Sequence, residues 1–239
     1  MTDSSTRIDE IADGIYRIST PVPPSAFPGG FTFNQFLIAD DEPLVYHTGL
    51  RGIFPQTRDA IATVLPVETI RYVAFSHFEA DECGALNDFL DAAPKARPLC
   101  GRVAAMTSIG DFASREPVVL QDGETLTLGK HTVKWFDTPH LPHAWECGSL
   151  MDLTTKTLFC GDLFTQPGDT PEPVTEGDIL ESSEAFRAVE DYFAHPKNNR
   201  AMMERLAAEN PLLLACMHGS SWRGDGAALL RKYADVLEA

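Results

Sequence analysis

The sequence predicts an α/β sandwich in which two β-sheets pack together and carry helices on their outer faces. Two observations point to it. Strand-like segments, alternating or wholly apolar, come in two runs, and each run is followed by segments with helical spacing of apolar residues. In addition, several apolar strands end directly in His, Asp or Glu, which is how a rigid scaffold presents a polar site at one end.

In chain order, Gly14–Ile18 and Phe31–Ile38 alternate apolar and polar positions and read as half-buried strands. A turn at Asp40-Asp41-Glu42-Pro43 leads into a short strand, Leu44–Tyr46. Phe54–Leu65 reads as a helix, and Arg71–Ser76 as a buried strand. Glu82–Ala93 places Leu86, Phe89 and Leu90 on one helical face and stops before Pro94. Leu99–Thr107 reads as a strand followed by a short helix. Val118–Asp137 holds short strands around turns at Asp122-Gly123 and Gly129-Lys130. Leu150–Leu153 and Thr157–Cys160 form a hairpin. Ser183–Ala194 and Asn199–Glu209 are helical, Leu212–Met217 is an apolar strand, and Gly226–Leu237 is an amphipathic helix. The Pro- and acid-rich stretch Thr165–Thr175 reads as a surface loop, and together with Pro21–Gly30 it is expected to border the mouth of a site. No internal repeat or shift of composition marks a boundary, so residues 1–239 are read as one domain.

The net charge of −16 repels phosphate backbones and anionic lipid, which argues against nucleic acid and membrane as partners. No stretch approaches the roughly 20 apolar residues that span a bilayer. The opening segment MTDSSTRIDE is polar and acidic, unlike a secretory leader. Five cysteines (Cys83, Cys100, Cys147, Cys160 and Cys216) form no C-x-x-C pair and read as small buried thiols. A cytoplasmic location is the expectation.

The chemistry concentrates in Ser76-His77-Phe78-Glu79-Ala80-Asp81-Glu82, directly behind a buried strand. His77, Glu79 and Asp81 alternate, so an extended chain leaving the sheet would point all three the same way. Three further segments supply the same residue types: Thr138-Pro139-His140-Leu141-Pro142-His143, Leu158-Phe159-Cys160-Gly161-Asp162, and Cys216-Met217-His218-Gly219. A lone His or Asp at a strand end is more often structural; four such signals in one chain point to a metal site. His47, in Tyr46-His47-Thr48-Gly49, and His140 are candidates for hydrogen-bonding a ligand or relaying a proton. His131 and His195 read as surface residues. Phe78, Trp145 and Trp222 flank ligand positions and offer either an apolar wall or ordinary packing.

These residues, in this order, resemble the metallo-β-lactamase superfamily and, within it, the diiron branch of flavodiiron and oxygen-binding diiron proteins. That branch carries H-x-E-x-D-H, a His, a bridging Asp, and a last His in H-G-x-x-W-R. The matching positions are His77, Glu79 and Asp81, then His143, then Asp162, then His218-Gly219-Ser220-Ser221-Trp222-Arg223. Phe31-Thr-Phe-Asn34-Gln-Phe-Leu37 resembles the branch's Y-N-x-Y-L strand. The likeness covers about residues 10 to 235 and implies an αββα sandwich with mixed sheets. One departure stands out: Glu82 occupies the position of the motif's second His. His47 likewise takes the place of the Asp in the superfamily's D-T-G turn. The FMN-binding flavodoxin domain of the branch is absent from this sequence.

By resemblance, one ion is held by His77, Glu79, His143 and the bridge Asp162, and the other by Asp81, Asp162 and His218. Glu82 reaches towards an open position, either as a negative charge that lowers a reduction potential or as a proton relay. Carboxylate-rich sites suit Fe or Mn, whereas imidazole-rich tetrahedral sites suit Zn; iron is the expectation, with Zn and Mn as alternatives. Three functions follow: reduction of O2 or NO with an external electron donor, reversible O2 binding by a carrier or sensor, and metal-dependent hydrolysis of an ester or lactone. The missing histidines weigh against hydrolysis. The resemblance also implies a homodimer.

Overall fold

Two seven-stranded sheets lie face to face in the computed structural model, which describes residues 6–195 and 197–238. Residues 1–5, half of the polar opening segment, lie outside the described residues. The first sheet runs in sequence order: β1 (Arg7–Ala12), β2 (Ile15–Val22), β3 (Phe31–Ile38), β4 (Leu44–Tyr46), β5 (Tyr72–Ala74), β6 (Arg97–Gly101) and β7 (Val118–Leu120). Its first four strands are antiparallel and its last four parallel. Parallel neighbours need crossovers, and helices supply them. These are α1 (Phe54–Ile61), then α2 (Ala80–Cys83) with α3 (Leu86–Ala92), then α4 (Arg102–Ala104), which continues through a π turn into α5 (Gly110–Phe112).

The second sheet has the order β12-β14-β13-β11-β10-β9-β8. Its strands are β8 (Thr125–Thr127), β9 (Thr132–Asp137), β10 (Gly148–Asp152), β11 (Thr157–Gly161), β12 (Val174–Thr175), β13 (Leu213–Cys216) and β14 (Ser221–Arg223). The parallel pair β11 and β13 is linked across α6 (Leu180–Glu190) and α7 (Asn199–Ala207), and α8 (Gly226–Glu238) follows the last strand.

Three apolar layers hold this together. Between the sheets, Phe36, Tyr46 and Leu99 of the first meet Trp135, Leu150 and Phe159 of the second; the Phe159 ring lies 5.5 Å from Phe36 and 5.1 Å from Tyr46. Outside the first sheet, Val45 and Val73 pack with Leu86, Phe89 and Leu90 of α3. Outside the second, Met151, Leu158 and Leu214 pack with Met203 and Leu206 of α7 and Leu230 and Tyr233 of α8. The αββα sandwich with mixed sheets expected from the sequence is the fold of the chain.

Some local readings are corrected. The helix expected over Glu82–Ala93 is split at Gly84-Ala85. There the Ala85 amide leaves the helical ladder and donates to Thr48 Oγ1 at 3.0 Å and the Gly49 carbonyl at 3.2 Å. Strands β1 and β14 are edge-side elements whose charged residues hide their periodicity. Thr165–Thr175 is no plain loop, since Val174 and Thr175 pair with β14. All five cysteines are buried and free. Among the described residues no helix is long and apolar enough to cross a membrane.

Candidate metal centre

The polar cluster sits where β5, β11 and β13 end. His77 follows β5 by three residues, Asp162 follows β11 directly, and His218 lies two residues past β13. His143 comes from the loop between β9 and β10, and Glu79, Asp81 and Glu82 from the entry and first turn of α2. The split helix explains the aim of that last group. Thr48 N donates to the Glu82 carbonyl at 2.7 Å, so the His47-Thr48-Gly49 turn draws α2 against the sheet end. Two glycines permit the close approach. Gly161 has φ +56°, and a Cβ there would meet the Ser76 side chain at 2.9 Å; Gly219 has φ +86°, and a Cβ would meet Gln166 at 2.6 Å.

The side chains converge in two halves that share Asp162. In one half, Nε2 of His77 and Nε2 of His143 are 2.9 Å apart and each stands 3.5 Å from Asp162 Oδ2. Glu79 Oε1 lies 3.0 Å from His143 Nε2 and 3.7 Å from His77 Nε2. In the other half, His218 Nε2 is 3.4 Å from Asp162 Oδ1 and 3.5 Å from Asp81 Oδ2. The two carboxylate oxygens of Asp162 therefore face different histidines. Glu82 belongs to both halves: its donor oxygens lie within 4.8 Å of those of His77 and Glu79, and also of those of Asp81 and His218. All six ligand positions expected from the sequence, together with Glu82, are brought together.

The burial of this cluster tests whether a cation fits it. Glu82 is fully buried, and neither of its carboxylate oxygens has a hydrogen-bond partner among the described residues. Asp162 Oδ1 is also without one; the His218 contact at 3.4 Å lacks hydrogen-bond geometry. An unpaired buried carboxylate costs several kcal/mol, and a bound cation removes that cost. The donor set of three imidazoles and four carboxylates suits two divalent ions, and the residues fit such a pair.

Without a cation the protonation states are skewed. Burial, then the charge of Asp162, hold the Glu82 carboxyl well above the usual carboxylate range. Burial disfavours a charged His77, but Glu82 and Asp162 outweigh it and raise its pKa well above that of a free imidazole. Burial likewise opposes charge on His218, and Asp162 again prevails and raises it. The neighbouring His143 and His77 rings hold the Glu79 carboxyl down at about 2.

A second layer orients the imidazoles. Ser76 Oγ lies 2.9 Å from His77 Nδ1 and 3.1 Å from His47 Nε2, so a hydroxyl links the two rings. An Nδ1–H donated to Ser76 leaves the His77 Nε2 lone pair aimed into the cluster. Burial lowers the His47 pKa to about 3, so this ring is neutral. His218 Nδ1 donates to the Thr32 carbonyl at 2.7 Å, which turns its Nε2 inward in the same way. Asn34 Nδ2 donates to the carbonyls of Cys216 and Gly219, both at 2.9 Å, and Arg17 Nη2 donates to Gly219 O at 2.8 Å. The Asn34 strand thus clamps the turn that carries His218.

Other candidates lie elsewhere. His140 is exposed and lines a surface pocket with His195 and Met202; it makes no contact with the cluster. His131 is buried, not superficial, with Nδ1 3.2 Å from Asp152 Oδ2. Trp145 is exposed, and Trp222 donates from Nε1 to Gly177 O at 2.8 Å. Only Phe78 packs nearby, edge-on to Phe112. The aromatic wall is instead made by residues outside that trio. Phe31 stacks on His218 at 4.2 Å between ring centres, Phe33 meets it edge-on at 5.7 Å, Phe186 stacks on Phe31 at 5.7 Å, and Tyr192 stands edge-on to His143 at 6.1 Å. Phe27, from the expected mouth segment Pro21–Gly30, completes the wall against Phe31 at 5.0 Å.

Residues 31–219 match the family model described as ODP family beta lactamase. A rubredoxin-oxygen oxidoreductase from Megalodesulfovibrio gigas is 26% identical over 222 residues, 88% of this chain and 54% of that protein. The chain thus spans about half the length of that relative. Among solved structures, the metal-soaked flavodiiron core from Synechocystis superposes with a TM-score of 0.81 at 21% identity, over 98% of this chain and 60% of that one. A fragment of a putative diflavin flavoprotein from Nostoc gives 0.83 at 20% identity, over 98% and 96%. At these identities the structures speak for the fold.

Proposed function

The chain belongs to the ODP family of beta lactamases, and on that premise we propose that it is a binuclear iron protein that binds O2 or NO and, given electrons, reduces it. The observation that carries this reading is the position of Asp162, whose Oδ2 faces His77 and His143 while its Oδ1 faces His218. A single carboxylate divided in this way suits two ions at roughly 3.5–4 Å, close enough for one small ligand to touch both.

In this reading His77, Glu79 and His143 would hold one ion and Asp81 and His218 the other, with Asp162 shared between them. Two reduced ions, if bound there, would supply the electrons for reducing one diatomic ligand. The protein's share is orientation and exclusion. Ser76 and Thr32 fix the imidazole rings, Phe31 and Phe33 lay carbon against the His218 ring, and Tyr192 stands edge-on to His143. Such a lining favours a small apolar gas over a polar ester, which would need hydrogen-bond donors for its carbonyl. In this reading electrons come from a separate donor; the name rubredoxin-oxygen oxidoreductase pairs rubredoxin with oxygen for that relative. The test loads the full chain with Fe2+ under anaerobic conditions, adds a chemical reductant, and follows O2 and NO with electrodes. Consumption of either gas at a rate proportional to protein supports the reading. A loaded protein inert to both gases but active on an activated ester or lactone would replace it with the hydrolase alternative.

A further inference from the structure

We propose that Glu82 is a second bridging carboxylate, so that the two ions are spanned by Asp162 and by Glu82 together. The inference rests on the binuclear reading above and adds to it a ligand, where a His stands in the motif the chain resembles.

Three observations carry it. Glu82 is fully buried and both of its oxygens lack a partner among the described residues. A carboxylate kept there without donors has no role in holding the fold, because burial without pairing opposes folding. Second, its position is shared. Oε2 lies 3.7 Å from His77 Nε2, the same distance that separates Glu79 from that nitrogen, and a Glu82 oxygen also groups with Asp81 and His218. The groups around its carboxylate, His77, Glu79, Asp81 and His218, are themselves candidate ligands. Third, the charges balance. Glu79, Asp81, Glu82 and Asp162 bring four negative charges against four positive charges of two divalent ions, with three neutral imidazoles. Two carboxylate bridges hold both ions from two sides, where an imidazole in the same place binds one ion only.

The geometry of α2 makes this ligand available. The Thr48 amide bonded to the Glu82 carbonyl and the Ala85 amide diverted to Thr48 and Gly49 hold the first turn of α2 against the sheet end. Glu82 enters the cluster from the side of that turn, and Asp162 enters from β11.

The experiment titrates the metal-free full chain with Mn2+ and reads binding and spin coupling by EPR, beside thermal unfolding of the metal-free protein. Wild type is expected to take up two ions and to show the spectrum of a coupled pair. Glu82→Gln keeps shape and loses charge; the second ion should bind at least about tenfold more weakly and the coupling should change, while metal-free stability holds or rises. Glu82→His is the second variant: it should restore two ions but not the wild-type coupling, because imidazole cannot bridge. Wild-type affinities and coupling in Glu82→Gln would overturn the proposal. So would weaker binding accompanied by lower metal-free stability, which assigns Glu82 a structural part. A wild-type chain that takes up fewer than two ions would instead overturn the binuclear reading itself, a result separable from the others.

Discussion

Among the described residues lie two buried groups of histidine and carboxylate, and they are built on opposite principles. At the far end of β9 and β10, Asp152 accepts from His131 Nδ1 at 3.2 Å, from Thr155 N at 2.8 Å and from Thr155 Oγ1 at 2.6 Å. Every charge there is answered by a protein donor. At the ends of β5, β11 and β13, Glu82 and Asp162 Oδ1 are equally buried and unanswered. The first arrangement is complete as folded. The second would carry its cost until a cation bound, as expected of a binding site as against a structural ion pair. The same residue types thus do different work, and what separates them is whether the protein itself supplies the donors.

That contrast is open to breakage by mutation. The largest effect is expected from Asp162→Ala, which removes the oxygens facing both halves; elemental analysis should find neither ion retained. His218→Ala should lose the ion on the Asp81 side and keep the one beside His77, Glu79 and His143, so that a metal titration shows a single step. Acidification sharpens the contrast further. Because the metal-free cluster raises the pKa values of His77 and His218, both rings are protonated below those raised values, and an incoming ion must displace the protons. Metal affinity should therefore fall as pH falls, by about tenfold per pH unit for each proton displaced, and level off at high pH; isothermal titration in two buffers of different ionisation heat measures the protons released. Ser76→Ala cuts the hydroxyl that ties His77 Nδ1 to His47 and should weaken metal binding by about 10–100-fold without abolishing it. Asp152→Ala should leave metal content unchanged yet cost about 1–3 kcal/mol in urea unfolding, since Thr155 and His131 lose their acceptor. A drop in metal content in that last variant would collapse the distinction between the two groups.

The candidate ligand positions were legible in the sequence because they follow apolar strands closely, and a charged residue in such a place is conspicuous. His77, Asp162 and His218 are examples. The fold was legible for the same reason that strands with one buried face alternate, as Phe31–Ile38 does. What stayed hidden had no local signature. Phe31 and Phe186 look like ordinary core aromatics, and only the packing of β3 against α6 sets them over His218. His131 follows a turn and reads as exposed, but Asp152, 21 residues on at the end of the neighbouring strand, gives the buried ring a hydrogen-bond partner. His140 shares a loop with His143, and its positive φ of 64° belongs to a turn that carries it to the surface. Glu82 could be named from the sequence, but its two unpartnered oxygens, the feature that gives it a role, exist only in the folded chain.

The most direct test of the central claim is a count of metal in the full chain purified without oxygen, with its optical spectrum taken before and after a pulse of O2. Close to two irons per chain and a new charge-transfer band after O2 are expected. A chain carrying no metal, or two zinc ions and an unchanged spectrum, would contradict the account.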